Sequence, residues 1–135
     1  MALDSGCTDH IAAEVDTPGY ELEDSPGSRA GQAFIIGDGG RLPNKGQKRL
    51  RLETTGEKKN MIDSIFQIAR VARPLMSVGR ICDNDNEITF KKTVATVREE
   101  ATGDEICRFH RPDGGLYVAK LMLKRPRPPP FQRPA

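Results

Sequence analysis

The clearest periodic signal in this chain lies in residues 46–53, where Leu50 and Leu52 alternate with charged residues. A period of two puts successive side chains on opposite faces of a strand, so this stretch predicts a half-buried strand. Leu50 and Leu52 are expected on its inner face and Lys and Arg on its solvated one. Upstream, the short apolar run Ala33-Phe34-Ile35-Ile36 meets Gly37-Asp38-Gly39-Gly40 and then Arg41-Leu42-Pro43. That order predicts a β-hairpin around a glycine-rich turn. Thr55-Gly56-Glu57 predicts a further turn.

Residues 61–72 carry Ile62, Ile65, Phe66, Ile68 and Val71. The spacing fits a short helix in part and a strand in part, and a strand is expected over the second half. Pro74 then interrupts the chain. Leu75, Met76, Val78, Ile81 and Cys82 follow at helical spacing up to the turn-forming Asp83-Asn84-Asp85-Asn86, so one short helix is expected near 75–84. Residues 88–90, 94–97, 106–109 and 116–123 read as strands, separated late in the chain by turns at Thr102-Gly103-Asp104 and Pro112-Asp113-Gly114-Gly115.

Residues 9–31 are polar and broken by Pro18-Gly19 and Ser25-Pro26-Gly27-Ser28, which predicts a long surface loop. Residues 124–135 are rich in Pro and Arg and predict an extended tail or linker. The chain therefore divides into a front loop region (1–31), a β domain (32–123) and a tail (124–135), and the expected fold class is mainly β.

Composition narrows the class. At 135 residues and 36% hydrophobic content the chain suits one modest domain. Aromatics make up 5% and Trp is absent, so the core must be largely aliphatic. A net charge of +2 is too small to imply a nucleic-acid partner. Acidic residues cluster in the front (Asp4, Asp9, Glu14, Asp16, Glu21, Glu23, Asp24) and basic ones at the end (Lys120, Lys124, Arg125, Arg127, Arg133), which fits two solvated segments. Cys7, Cys82 and Cys107 are odd in number and widely spaced, so no disulfide framework is expected and a reducing, cytoplasmic setting is. No apolar run approaches the roughly 18 residues a membrane span needs. The N-terminus lacks the basic and apolar regions of a secretory signal.

The residues with most chemical content are Leu3-Asp4-Ser5-Gly6-Cys7-Thr8. A carboxylate is followed by a hydroxyl that can steady it and a glycine that allows a sharp turn and close approach. Alone, Asp-Ser-Gly is also an ordinary turn. Competing constellations are weaker. Cys7-x-x-His10 and Cys107-x-x-His110 could supply a tetrahedral zinc set, but residues three apart on a strand face opposite ways. Cys7 with a histidine could serve acyl chemistry, without a local signature to support it. Gly37-Asp38-Gly39-Gly40 lacks the Gly-Lys-Ser/Thr ending of a phosphate loop. Lys48-Arg49-Leu50-Arg51 reads as a solvated strand face before an RNA surface. The proline-rich tail fits a linker before an SH3 ligand. No metal and no cofactor are expected.

Taken in order, LDSGCTDH (3–10), GDGGRLPNKGQ (37–47), ARPLMSVGRICDNDNEITF (72–90) and GGLYVAKL (114–121) resemble the retropepsin-like aspartic protease region of copia-type retrotransposon polyproteins. The resemblance covers most of residues 3–123. It implies a retropepsin-like half-barrel and an aspartic endopeptidase that processes a Gag-Pol polyprotein. In it Asp4 is the catalytic aspartate, and Ser5 and Gly6 complete the active-site loop, with Ser5 bonding across to a second subunit. Residues 34–43, with Ile36, Gly37, Asp38, Gly39 and Gly40 among them, form a flap that closes over the peptide. Leu75, Met76 and Ser77 support the loop from behind, Ser77 standing where the family has glycine, and a helix at 78–84 follows. Cys7 stands where alanine is common.

Carboxylate-catalysed peptide hydrolysis takes two carboxylates sharing one proton, because close like charges do not both ionise readily. The chain has one Asp-Ser/Thr-Gly loop, so the resemblance implies a homodimer with Asp4 and its symmetry copy on a two-fold axis. The expected partners are a polypeptide substrate and a second copy of this chain, with nucleic acid reached only through neighbouring polyprotein modules. Only Met1, Ala2 and Leu3 precede Asp4, where the family has one or two more strands. That short front reads as an N-terminal truncation, and the alternative function is an inactive remnant or interaction module.

Overall fold

The computed structural model describes residues 1–36 and 39–127. Its eleven strands are β1 (Ala2–Asp4), β2 (Ile11–Ala12), β3 (Ala33–Ile35), β4 (Arg41–Pro43), β5 (Gly46–Thr54), β6 (Met61–Ile68), β7 (Leu75–Ser77), β8 (Asn86–Phe90), β9 (Val94–Glu99), β10 (Glu105–His110) and β11 (Leu121–Leu123). The helices are α1 (Pro26–Arg29) and α2 (Val78–Asp83), with a 3-10 turn at Glu14–Asp16. The chain is mainly β, as the alternating patterns predict.

β5 is built as its period demands. Leu50 and Leu52 are buried and pair with Ser64 and Ile62 of antiparallel β6. Lys48 departs from the expectation of a solvated basic face. It is two residues from Leu50, so the same period turns it inward, where only 4% of its surface remains exposed. Its ammonium donates to the carbonyl and the hydroxyl oxygen of Thr17, both at 3.0 Å, and these bonds replace the water it gives up. The strand's first residue needs glycine. Gly46 has φ 137° and a Cβ there would lie 2.3 Å from the Glu23 carbonyl oxygen, which accepts a hydrogen bond from the Gln47 amide.

β6 begins at Met61, so the helical part expected for 61–72 is absent. Ile62, Ser64, Phe66 and Ile68 take the inner positions at a spacing of two, which overrides the partial helical match. Residues 9–31 are also more ordered than a surface loop. They hold β2, the 3-10 turn and α1, and Thr17 and Ser25 are buried. Ser25-Pro26-Gly27-Ser28 is a helix start rather than a breaker, since Ser25 and Ser28 form a reciprocal capping box with Pro26 in the first turn.

The strands form a six-stranded sheet in the order β1-β7-β2-β6-β5-β11, a three-stranded antiparallel sheet β10-β9-β8 and the separate hairpin β3-β4. Residues 116–123 do not make one strand. Val118 bridges Ala2 on one side and His110 on the other, and so ties the two larger sheets together. The chain then crosses to pair Leu121–Leu123 with the far end of β5. Leu3, Leu50, Leu52, Phe66, Met76, Ile81, Val97, Cys107 and Phe109 share one buried cluster with the smaller Ala12 and Ala95. Burying each large side chain contributes roughly 1.5–3 kcal/mol. No helix among the described residues is long and apolar enough to cross a membrane.

Candidate active site

β7 passes between the two strands that lead into and out of the Asp4 loop. It runs parallel to β1, with Ala2 opposite Leu75, Leu3 opposite Met76 and Asp4 opposite Ser77. On its other edge Leu75 pairs with Ile11 of β2. The helix expected near 75–84 therefore starts three residues late, at Val78. Residues 75–77 are extended because β1 and β2 each offer unpaired backbone to whatever lies between them. Met76 and Ser77 are buried there.

Ser77 is the hub. It is fully buried, and its hydroxyl donates to the Cys7 carbonyl at 2.7 Å. The same oxygen accepts the Arg80 amide at 3.2 Å and so caps α2. Its own amide donates to Nδ1 of His10 at 2.9 Å. A glycine could make the last of these bonds and neither of the first two.

The Asp4 carboxylate is gripped within its own loop. Oδ1 accepts the Gly6 amide at 2.8 Å, and Oδ2 accepts the Cys7 thiol at 3.3 Å. A Cβ on Gly6 would sit 3.2 Å from Oδ1, so the glycine answers to close approach and not to an unusual φ. Burial, followed by the hydrogen bond and charge of Asp4, pushes the Cys7 thiol up to about 12. Cys7 therefore stays a protonated donor and is no nucleophile. Ser5 is exposed at the tip of the loop.

His10 is 5% exposed and stacks on Phe66 with ring centroids 5.0 Å apart. Desolvation, followed by the positive charge of Arg80, lowers it to about 4. Arg80 bonds the Thr8 carbonyl at 3.0 Å and pairs with Asp9 at 2.8 Å, closing the far side of the loop onto α2. Both partners of that pair are partly exposed, and it contributes at most about 1 kcal/mol. Nothing in the local sequence announces His10 or Arg80, because their partners lie far along the chain.

The hairpin expected around the glycine-rich turn is present as β3–β4, with Phe34 opposite Leu42. Ile36 donates to the Gly40 carbonyl at 3.0 Å, and Gly39 takes a positive φ of 84°. Ile35 is 73% exposed, an apolar side chain with no cover at the hairpin's end. Gly37 and Asp38 lie outside the described residues, as does the tail from 128 onward.

A cleft of about 770 Å³ lies beside the loop, lined among others by Asp9, His10, Asn44, Asp63, Gln67 and Arg80. Cys7, Cys82 and Cys107 are all free thiols. Among the described residues no group of three or more His, Cys, Asp or Glu is placed to hold a metal ion. Cys107 is buried and His110 exposed on β10, which accounts for the failure of the C-x-x-H spacing to converge. The chain matches no protein-family model, no curated protein and no solved structure.

Proposed function

We propose that this chain is a retropepsin-like aspartic endopeptidase domain that works as a homodimer, each copy supplying one Asp4. The observation that carries the reading is the threading of β7 between β1 and β2, with Ser77 opposite Asp4. A loop so supported presents its carboxylate in one orientation, which a shared dyad needs and an ordinary surface turn does not.

In the dimer, Asp4 and its copy share a proton. One carboxylate holds and deprotonates a water, and the other gives its proton to the carbonyl oxygen of the scissile peptide. The water oxygen bonds to the carbonyl carbon to give a tetrahedral diol; the dyad then passes a proton to the amide nitrogen as the C–N bond breaks, leaving a carboxylic acid and an amine. Gly6 and Cys7 fix the two oxygens of each carboxylate, so little reorganisation accompanies the transfers. The β3–β4 hairpin would close over the substrate backbone and exclude water, with Ile35 and Ile36 meeting peptide or partner. The natural substrate on this reading is the retroelement polyprotein to which the domain belongs, in a reducing cytoplasm.

Purified protein and its Asp4→Asn variant, incubated with polypeptide substrates near pH 5, test the proposal. Cleavage by the first alone, blocked by a pepstatin-type inhibitor, is the expected result. Equal cleavage by both sinks it. A strict monomer at tens of micromolar that binds no such inhibitor supports an inactive interaction module instead.

A further inference from the structure

We propose that His10 is a positioning residue, a clasp that holds the far end of the Asp4 loop to β7 while its ring is neutral and releases it on protonation. Its relevance to catalysis rests on the peptidase reading, whereas the clasp itself does not.

The geometry fixes the ring's state. Nδ1 accepts the Ser77 amide at 2.9 Å, so that nitrogen carries no proton and the neutral ring bears its hydrogen on Nε2. The ring is buried and stacked on Phe66, which holds it in this plane. Ser77 thereby grips the loop twice, at the Cys7 carbonyl through its hydroxyl and at His10 through its amide. These two points bracket residues 7–10, the part of the loop beyond Ser5 and Gly6.

Every element around the ring bears on its protonation. Phe66 from β6 and Ser77 from β7 are uncharged. Arg80 from α2 opposes a positive ring. Asp9 favours one, but it is already paired with Arg80 at 2.8 Å. Asp63, Asp83 and Arg49 line the same cleft as His10. Burial is the largest influence, and the net result is a ring lowered to about 4.

Once protonated, Nδ1–H would face the Ser77 N–H, two donors with no acceptor between them in a buried space. The ring must turn away, and the loop loses one of its two holds on β7. The sign follows from linkage. Between the ordinary value of 6.5 and about 4 the unfolded chain takes up this proton and the folded chain does not, so stability falls as pH falls through that window. Below about 4 the folded ring is charged as well and the clasp is open. For a peptidase of this kind that opening sets an acid limit separate from the titration of the dyad.

Nitrogen-edited NMR of the imidazoles, with His110→Gln to assign the signals, reads the clasp directly. A neutral His10 with its hydrogen on Nε2 is expected, with a midpoint near 4 in place of 6.5. Hydrogen-exchange protection of the Ser77 amide should be lost in the same step. His10→Asn keeps an acceptor near the place of Nδ1 and cannot be protonated. In it the Ser77 amide should stay protected through pH 4, and cleavage should persist further into acid. An ordinary midpoint, a proton on Nδ1 at neutral pH, or Ser77 protection unchanged across the step overturns the proposal. If His10→Asn fails to fold, the wild-type tautomer and the Ser77 exchange still decide. Absence of cleavage with an intact clasp faults the peptidase reading alone.

Discussion

Ser77 is where the resemblance places glycine, so Ser77→Gly asks whether the hydroxyl does what the structure assigns to it. The substitution removes a fully buried oxygen that donates to the Cys7 carbonyl at 2.7 Å and accepts the Arg80 amide at 3.2 Å. Losing the first bond, whose acceptor is partly buried, costs about 1–1.5 kcal/mol. Glycine replaces a serine N-cap at a cost of only a few tenths of a kcal/mol. The added backbone freedom of glycine within a strand contributes about 0.5–1 kcal/mol more. The total is about 2–3 kcal/mol, a fall in Tm on the order of 5–12 °C for a chain of this size. Ser77→Ala omits the backbone contribution but loses more of the cap, and should fall in the same range. Urea and thermal denaturation followed by circular dichroism measure both variants. A loss below about 0.5 kcal/mol in each would refute the reasoning, because an unneeded hydroxyl at that position cannot be bracing the loop.

Other consequences can be checked separately. Gly6→Ala places a methyl group 3.2 Å from Oδ1 of Asp4 and should displace the carboxylate while leaving Tm within a few degrees; cleavage should drop by about tenfold or more, and a variant with full activity would contradict the close-approach account. Cys7 should resist alkylation at pH 8, since its thiol is held near 12, while the exposed Cys82 reacts readily. Asp4→Asn removes the carboxylate's charge and its grip on the thiol, both of which raise the Cys7 thiol, so Cys7 labelling should accelerate. Burial still restrains it, and mass spectrometry that found Cys7 as reactive as Cys82 in the wild-type chain would undo this picture.

Much of the fold was legible because it follows a period of two. Leu50 and Leu52 located β5, and the short apolar runs around Ile88, Val97 and Phe109 located β8, β9 and β10. The misreadings share a cause. Leu75, Met76 and Ile81 fit a helix by spacing alone, yet residues 75–77 are extended because two remote strands pair with them. Lys48 looked like a surface charge until Thr17 supplied its acceptors. Ser25-Pro26-Gly27-Ser28 has the composition of a turn and the hydrogen bonds of a helix cap. At the candidate site, Asp4 and the supporting segment 75–77 were readable as motifs. The roles of His10 and Arg80 were not, since their bonds to Ser77, Thr8 and Asp9 depend on how the chain returns.

The central claim is that each copy of the chain brings one carboxylate to a shared dyad. Mixing wild-type and Asp4→Asn protein at constant total concentration, after unfolding and refolding them together, tests it most directly. If both carboxylates are needed, an equal mixture should retain about a quarter of the wild-type cleavage rate, because only wild-type pairs are active. A rate that falls in simple proportion, to about half, would mean that each chain acts alone, and the two-fold site would have to be abandoned.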